Sequence, residues 1–154
     1  EMSQRLARRI PDETYRSELL RTVHYEATRA GLDPQLVLGL IQVESGFKKY
    51  AVSSAGARGY MQVMPFWAKL LGRGDDNLFH LRTNLRYGCT ILRHYLDRER
   101  GDLFRALGRY NGSLGSRLQA GLLTYNSLNP SVLQQYGATL LNSRIDSPLA
   151  VAAG

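Results

Sequence analysis

The chain has 154 residues, 44% hydrophobic and 21% charged, which is enough for one globular domain with a real core and too balanced for a disordered or fibrous chain. A formal charge of +7 and a pI near 9.9 suit a polyanionic setting: nucleic acid, an acidic membrane face or a cell wall. One cysteine, Cys89, excludes an internal disulfide framework and a cysteine-rich zinc site, and His24, His80 and His94 have no ligand spacing, so neither metal nor cofactor is expected. In chain order, residues 1–10 carry Arg5, Arg8 and Arg9 but no apolar run, so no signal peptide is expected in this chain. No stretch is apolar for long enough to predict an integral membrane segment. Residues 3–31 hold two helical patterns broken at Pro11. The second has Tyr15, Leu19, Leu20, Val23 and Ala27 at three- and four-residue steps, a one-sided apolar stripe ended by Gly31.

The next helix starts at once. Asp33 can cap it and Pro34 suits its first position. Leu36, Val37, Leu40 and Ile41 share a face with Glu44, an acid where a leucine is expected, and Gly46 lies where helices stop. Two explanations stand for such an acid. It can be structural, held by an arginine. It can also be a proton donor kept protonated by desolvation, with a pKa raised toward the working pH. After Gly46 come Ser53, Ser54, Ala55, Gly56, Ala57 and Gly59, small residues that let backbone approach a ligand closely. Tyr60, Met61, Gln62, Val63 and Met64 follow, and Pro65 begins a short helix with Phe66, Trp67 and Leu70 as its apolar side.

Thr83 or Asn84 is expected to cap a long helix reaching about Arg100, with Leu85, Cys89, Leu92 and Leu96 as its buried stripe. Asp102 can cap the next, in which Leu103, Leu107 and Tyr110 share an inward face before Asn111 and Gly112 break it. Helical patterns at residues 118–125 and 132–141 and a frayed tail from residue 147 complete the chain. With no alternating pattern anywhere, the fold class is all-α. The domain plan is one domain over 1–154: N-terminal helices at 1–32, a motif-bearing core at 33–113, C-terminal helices at 114–146, and the tail at 147–154.

Four motifs in order give these residues a second meaning. Glu44-Ser45-Gly46-Phe47, then Ala51-Val52-Ser53 with Gly56-Ala57-Arg58-Gly59 and Met61-Gln62-Val63-Met64-Pro65, resemble the catalytic core of soluble lytic transglycosylases. Asn77-Leu78-Phe79 with Asn84-Leu85 resembles that family's third motif, and Ala106-Leu107 with Tyr110-Asn111 its fourth. The resemblance implies a lysozyme-like helical domain with a glycan-binding cleft, acting on peptidoglycan strands in the periplasm or cell envelope as a monomer. It implies Glu44 as the catalytic acid/base. Ser53 would orient that glutamate or a substrate N-acetyl group. Gly59, Tyr60, Met61, Gln62 and Met64 would line the cleft, with Tyr110 and Asn111 closing it. The reaction implied is cleavage between N-acetylmuramic acid and N-acetylglucosamine, leaving a 1,6-anhydromuramyl end. The chain departs from the family pattern at Tyr60 (commonly Leu), at His80-Leu81 (often Asp-Pro) and at Gly112-Ser113 (usually Ala-Gly). The family's downstream Glu-Thr-Arg motif is not visible near Tyr136. Three alternatives are carried forward: a goose-type lysozyme using water, a non-catalytic peptidoglycan-binding module, and a nucleic-acid binder suggested by charge alone.

Overall fold

The computed structural model describes residues 6–111. These form five helices: α1 (Glu13–Arg29), α2 (Pro34–Ser45), α3 (Pro65–Leu71), α4 (Leu81–Arg98) and α5 (Leu103–Asn111). Among the described residues there is no strand, only the isolated bridges Val52–Arg58 and Arg58–Val63 in the loop between α2 and α3. The chain divides into two compact units, Glu1–Cys89 and Thr90–Gly154. The patterns expected at residues 118–125 and 132–141, the tail and Tyr136 lie outside the described residues.

In the first unit, α1 begins where Asp12 Oδ1 accepts from the amides of Thr14 (3.0 Å) and Tyr15 (3.3 Å). Of its expected stripe, Leu19, Val23 and Ala27 are buried while Tyr15 and Leu20 are half-buried, and α1 packs on α2. In α2, Asp33 Oδ1 accepts from Gln35 N at 2.8 Å, Pro34 occupies the first turn, and Gly46 closes the helix in the left-handed conformation (φ 60°). Leu36, Val37, Leu38, Leu40 and Ile41 are all buried, so α2 is an internal rod rather than a one-sided helix.

Two local expectations need correction. The apolar side of α3 does not face the core: Ala68 is its buried residue, and Phe66, Leu70 and Leu71 are exposed. A seven-residue helix has too few turns to bury a full stripe. The long helix begins at Leu81, ahead of both predicted caps. His80 takes that place: its Nδ1 lies 3.5 Å from Thr83 N and 3.3 Å from Thr83 Oγ1. This releases Asn84, fully buried, for other work.

In the second unit, Leu92, Leu96, Leu103, Phe104, Ala106 and Leu107 are buried. Asp102 Oδ1 accepts from Arg105 N at 3.2 Å, the expected cap of α5. Glu99 receives Arg109 and, at 3.5 Å, Arg105. The two guanidinium groups hold its carboxyl below the usual range, with the Arg109 hydrogen bond the largest cause. Among the described residues no helix is long and apolar enough to cross a membrane.

Candidate active site

Glu44 stands in the last turn of α2, directly beyond the buried Leu40 and Ile41. The residue as a whole is partly exposed, while its Oε2 is shut off from solvent. Its neighbour Ser45 turns inward and donates to Ile41 O at 3.1 Å, tightening the helix end beneath the acid. Gly46 N then donates to Ile41 O and Gln42 O, both at 3.1 Å, and Phe47 follows with φ 64°, buried despite its left-handed backbone. A non-glycine residue there is held by its surroundings at a conformational cost of about 1 kcal/mol. The double reversal at Gly46 and Phe47 turns the chain sharply away from α2.

The loop that follows is tied by backbone and side chain alike. Arg58 and Val63 exchange both amide hydrogen bonds at 3.0 Å, and Gly59 N donates to Ala51 O at 2.8 Å. Ser53 Oγ accepts from Ala57 N at 3.0 Å, so the hydroxyl caps the 53–57 turn and keeps its own proton available. Gln62, itself at φ 51°, donates from Nε2 to Gly59 O (2.9 Å) and Ala51 O (3.1 Å). Both amide protons are thereby committed to holding the loop, and only Oε1 is left to face a ligand.

Asn84 locks this loop to α4. Its Nδ2 donates to Leu78 O (2.7 Å) and Arg58 O (2.9 Å), and its Oδ1 accepts from Met61 N at 2.8 Å. The approach is close enough to exclude a side chain at Gly59, where an added Cβ would lie 2.5 Å from Asn84 Nδ2 and 2.8 Å from Leu78 O. Met61 is fully buried, and its side chain lies over Gly88, where a Cβ would come within 2.3 Å of the sulfur. Tyr60 is buried as well. Its hydroxyl meets that of Tyr15 at 2.8 Å, and burial pushes its pKa well above the ordinary range.

The structure therefore sorts the expected residues of the first unit. Glu44, Ser53, Gln62 and Met64 are partly exposed, while Gly59, Tyr60 and Met61 are buried. The second unit holds Tyr110, also partly exposed, and Asn111, the last residue of α5.

Two features escaped the sequence reading. One is the role of Asn84 as the tie between loop and helix. The other is Glu26, a completely buried acid on α1. Arg86 reaches both of its oxygens at 3.2 Å, and Arg29 Nε reaches Oε1 at 3.0 Å. Glu26 lies seven residues beyond Leu19 and three beyond Val23, the same spacing logic that singled out Glu44.

Comparison with known proteins bears on all of this. The chain is 40% identical over 91 residues to a transglycosylase of Enterobacteria phage PRD1, a match covering 59% of this chain and 33% of that protein. It is 46% identical over 82 residues to the membrane-bound lytic murein transglycosylase C of Mannheimia succiniciproducens, covering 47% of this chain and 23% of the relative. The chain thus matches only a third or less of the length of these relatives. Its fold matches the lytic transglycosylase Slt of Pseudomonas aeruginosa, solved by X-ray as an inactive Glu-to-Gln mutant, with a TM-score of 0.55 over 84% of this chain and 25% of that one. At 20% identity that likeness establishes the lysozyme-like helical fold. The transglycosylase SLT domain family matches residues 21–132, a span that contains α2, its acid, the loop and Asn84, and the chain belongs to that family.

Proposed function

We propose that this chain is a peptidoglycan lytic transglycosylase whose single acid/base is Glu44. The observation that carries the reading is an acid at the end of a buried helix, inside the span matched by the SLT family, with one carboxylate oxygen closed to solvent. The acid stands at the end of the buried rod formed by Leu36, Val37, Leu40 and Ile41, immediately before the loop that carries the family's next motif.

In the proposed reaction, Glu44 gives its proton to the glycosidic oxygen between N-acetylmuramic acid and N-acetylglucosamine. The bond from that oxygen to C1 of the muramyl residue breaks, and the substrate's own N-acetyl group supports the electron-poor C1. Glu44, now a carboxylate, takes the proton from the muramyl 6-hydroxyl as O6 bonds to C1. The acid is thereby regenerated, a 1,6-anhydro end is left, and no water is consumed. A nucleophile tethered to the sugar has a large proximity advantage over solvent, which removes the need for the second carboxylate of most glycosidases.

Ser53 retains a proton to orient Glu44 or the N-acetyl group. Met64 and Gln62 Oε1 are offered to the glycan, while Tyr60 and Met61 shape the cleft wall from behind. The roles of Tyr110 and Asn111 in sugar binding rest on the family's fourth motif. The setting that supplies such a substrate is the cell envelope. Relatives named membrane-bound murein transglycosylases and a structural relative inactive as a Glu-to-Gln mutant support the reading. The test is mass analysis of muropeptides released from purified sacculi. The proposal expects ends lighter by one water than reducing ends. Reducing ends alone would convert the reading to lysozyme-type hydrolysis.

A further inference from the structure

Away from Glu44, α1 and α4 border an open groove of about 470 Å³. Its floor is the buried Glu26 with Arg86, and its walls carry Arg21, Arg82, Glu18 and the ring of Tyr25, 60% exposed. Neither Glu44 nor any other residue assigned to the glycan cleft lines it. Glu26 is already neutralised by Arg86 and Arg29. Among the described residues, Arg21 and Arg82 form no ion pair, so two exposed arginines line one concavity with only Glu18 as an uncommitted acid.

Clustering cations without partners costs energy unless an anion joins them. Paired guanidinium forks match a planar carboxylate, each through two parallel N–H donors. Glu18 at the same wall disfavours a dianion such as phosphate but accepts an ammonium. The exposed Tyr25 ring can cover a short aliphatic stretch. Carboxylate, ammonium and a short aliphatic chain together describe the stem peptide of a cell-wall strand, which carries free carboxylates and a diamino acid.

We infer that the α1–α4 groove is an accessory site for the carboxylate-bearing stem peptide of peptidoglycan. The inference rests on the proposed function for its choice of polymer. It adds a specificity device: strands carrying peptides are held at a second point, remote from the sugar being cut.

The experiment has a binding arm and an activity arm. In the first, the wild-type chain is titrated with a purified tetrapeptide stem that carries no sugar, by heteronuclear NMR, beside an Arg21→Ala/Arg82→Ala variant checked for unchanged melting. Saturable shifts confined to α1 and the start of α4 are expected, with affinity about tenfold weaker in the variant, since charge-assisted bonds are lost. In the second, the two proteins digest intact sacculi and amidase-treated glycan strands stripped of peptide. The variant is expected to raise KM on sacculi alone and to match the wild type on stripped strands. Absence of tetrapeptide binding, equal binding by the variant, tighter binding of inorganic phosphate than of peptide, or an equal loss on both substrates would each overturn the inference. The binding arm uses no turnover, so it stands or falls separately from the lytic reading.

Discussion

Glu26 and Glu44 lie on consecutive helices of one unit, each at a position where the heptad-like spacing calls for an apolar side chain. Glu26 sits in the last turn of α1, wholly buried, with both oxygens bound by Arg86 and one shared with Arg29. In return, the same carboxylate holds the Arg86 guanidinium above its ordinary pKa, chiefly through their hydrogen bonds. Glu44 likewise sits in the final turn of its helix, but it is partly exposed and the chain reverses beside it at Gly46 and Phe47. Burying an acid is therefore not what distinguishes a candidate catalyst in this molecule. Exposure is: Glu26 is wholly enclosed and bound by two arginines, whereas Glu44 stands partly open at the end of α2, where the loop begins.

The comparison breaks most visibly by removing each charge at constant shape. Glu44→Gln is expected to lower the rate of muropeptide release by about 10²–10⁴-fold, the range for loss of a general acid/base, with melting unchanged. Glu26→Gln is expected to do the reverse, keeping turnover on the surviving folded fraction and lowering stability by about 2 kcal/mol in denaturant titrations. That sits below the usual figure for a broken buried pair, because the Arg86 and Arg29 side chains are 51% and 40% exposed and can rehydrate.

Much of this was legible in the sequence, and the misses have physical causes. Asp33, Pro34 and Gly46 mark the two ends of α2 through local chemistry, so the element and its acid could be read directly. The burial of Leu19, Val23 and Ala27 on α1 and of Cys89, whose thiol is pushed up to about 12 chiefly by burial, followed from period alone. Glu26 passed the same periodicity test as Glu44, but its fate depends on Arg86, sixty positions away, and no local pattern carries that. Asn84 was read as a helix cap because Asn is a good one. Its three bonds to Met61, Leu78 and Arg58 exist only once the loop has folded onto α4. Tyr60 and Met61 lie on the loop, where the sequence suggested a cleft lining; the ties at Asn84 and Gln62 turn both side chains inward.

The tie itself gives the next test. Asn84→Ala leaves the Met61 amide and the Leu78 carbonyl without their partner, at a cost of about 3 kcal/mol, and loosens the loop that follows α2. Activity should fall together with stability, unlike either glutamate variant, and hydrogen exchange at Arg58–Val63 should accelerate. Gly88→Ala presses on the Met61 side chain and is expected to cost about 1–3 kcal/mol in thermal melting, with a smaller loss of activity.

The smallest expected effect is a pH dependence in the second unit, where Glu99 repeats the structural role of Glu26. Its folded pKa is depressed below its ordinary 4.5 by Arg109 and Arg105. Its contribution to stability is therefore complete above 4.5 and fades as the pH falls through the lower folded value. Glu99→Gln should lower stability by a constant amount near neutrality and converge on the wild-type curve as the pH falls through that acid window, as measured by melting in matched buffers.

The most direct test of the account sets the two glutamates side by side. Purified sacculi are digested with wild type, Glu44→Gln and Glu26→Gln at equal concentrations of folded protein, and the release of anhydromuropeptides is followed. The account predicts release by the wild type and by Glu26→Gln, and none above background by Glu44→Gln. Substantial release by a well-folded Glu44→Gln would move the proton donor elsewhere and contradict the account.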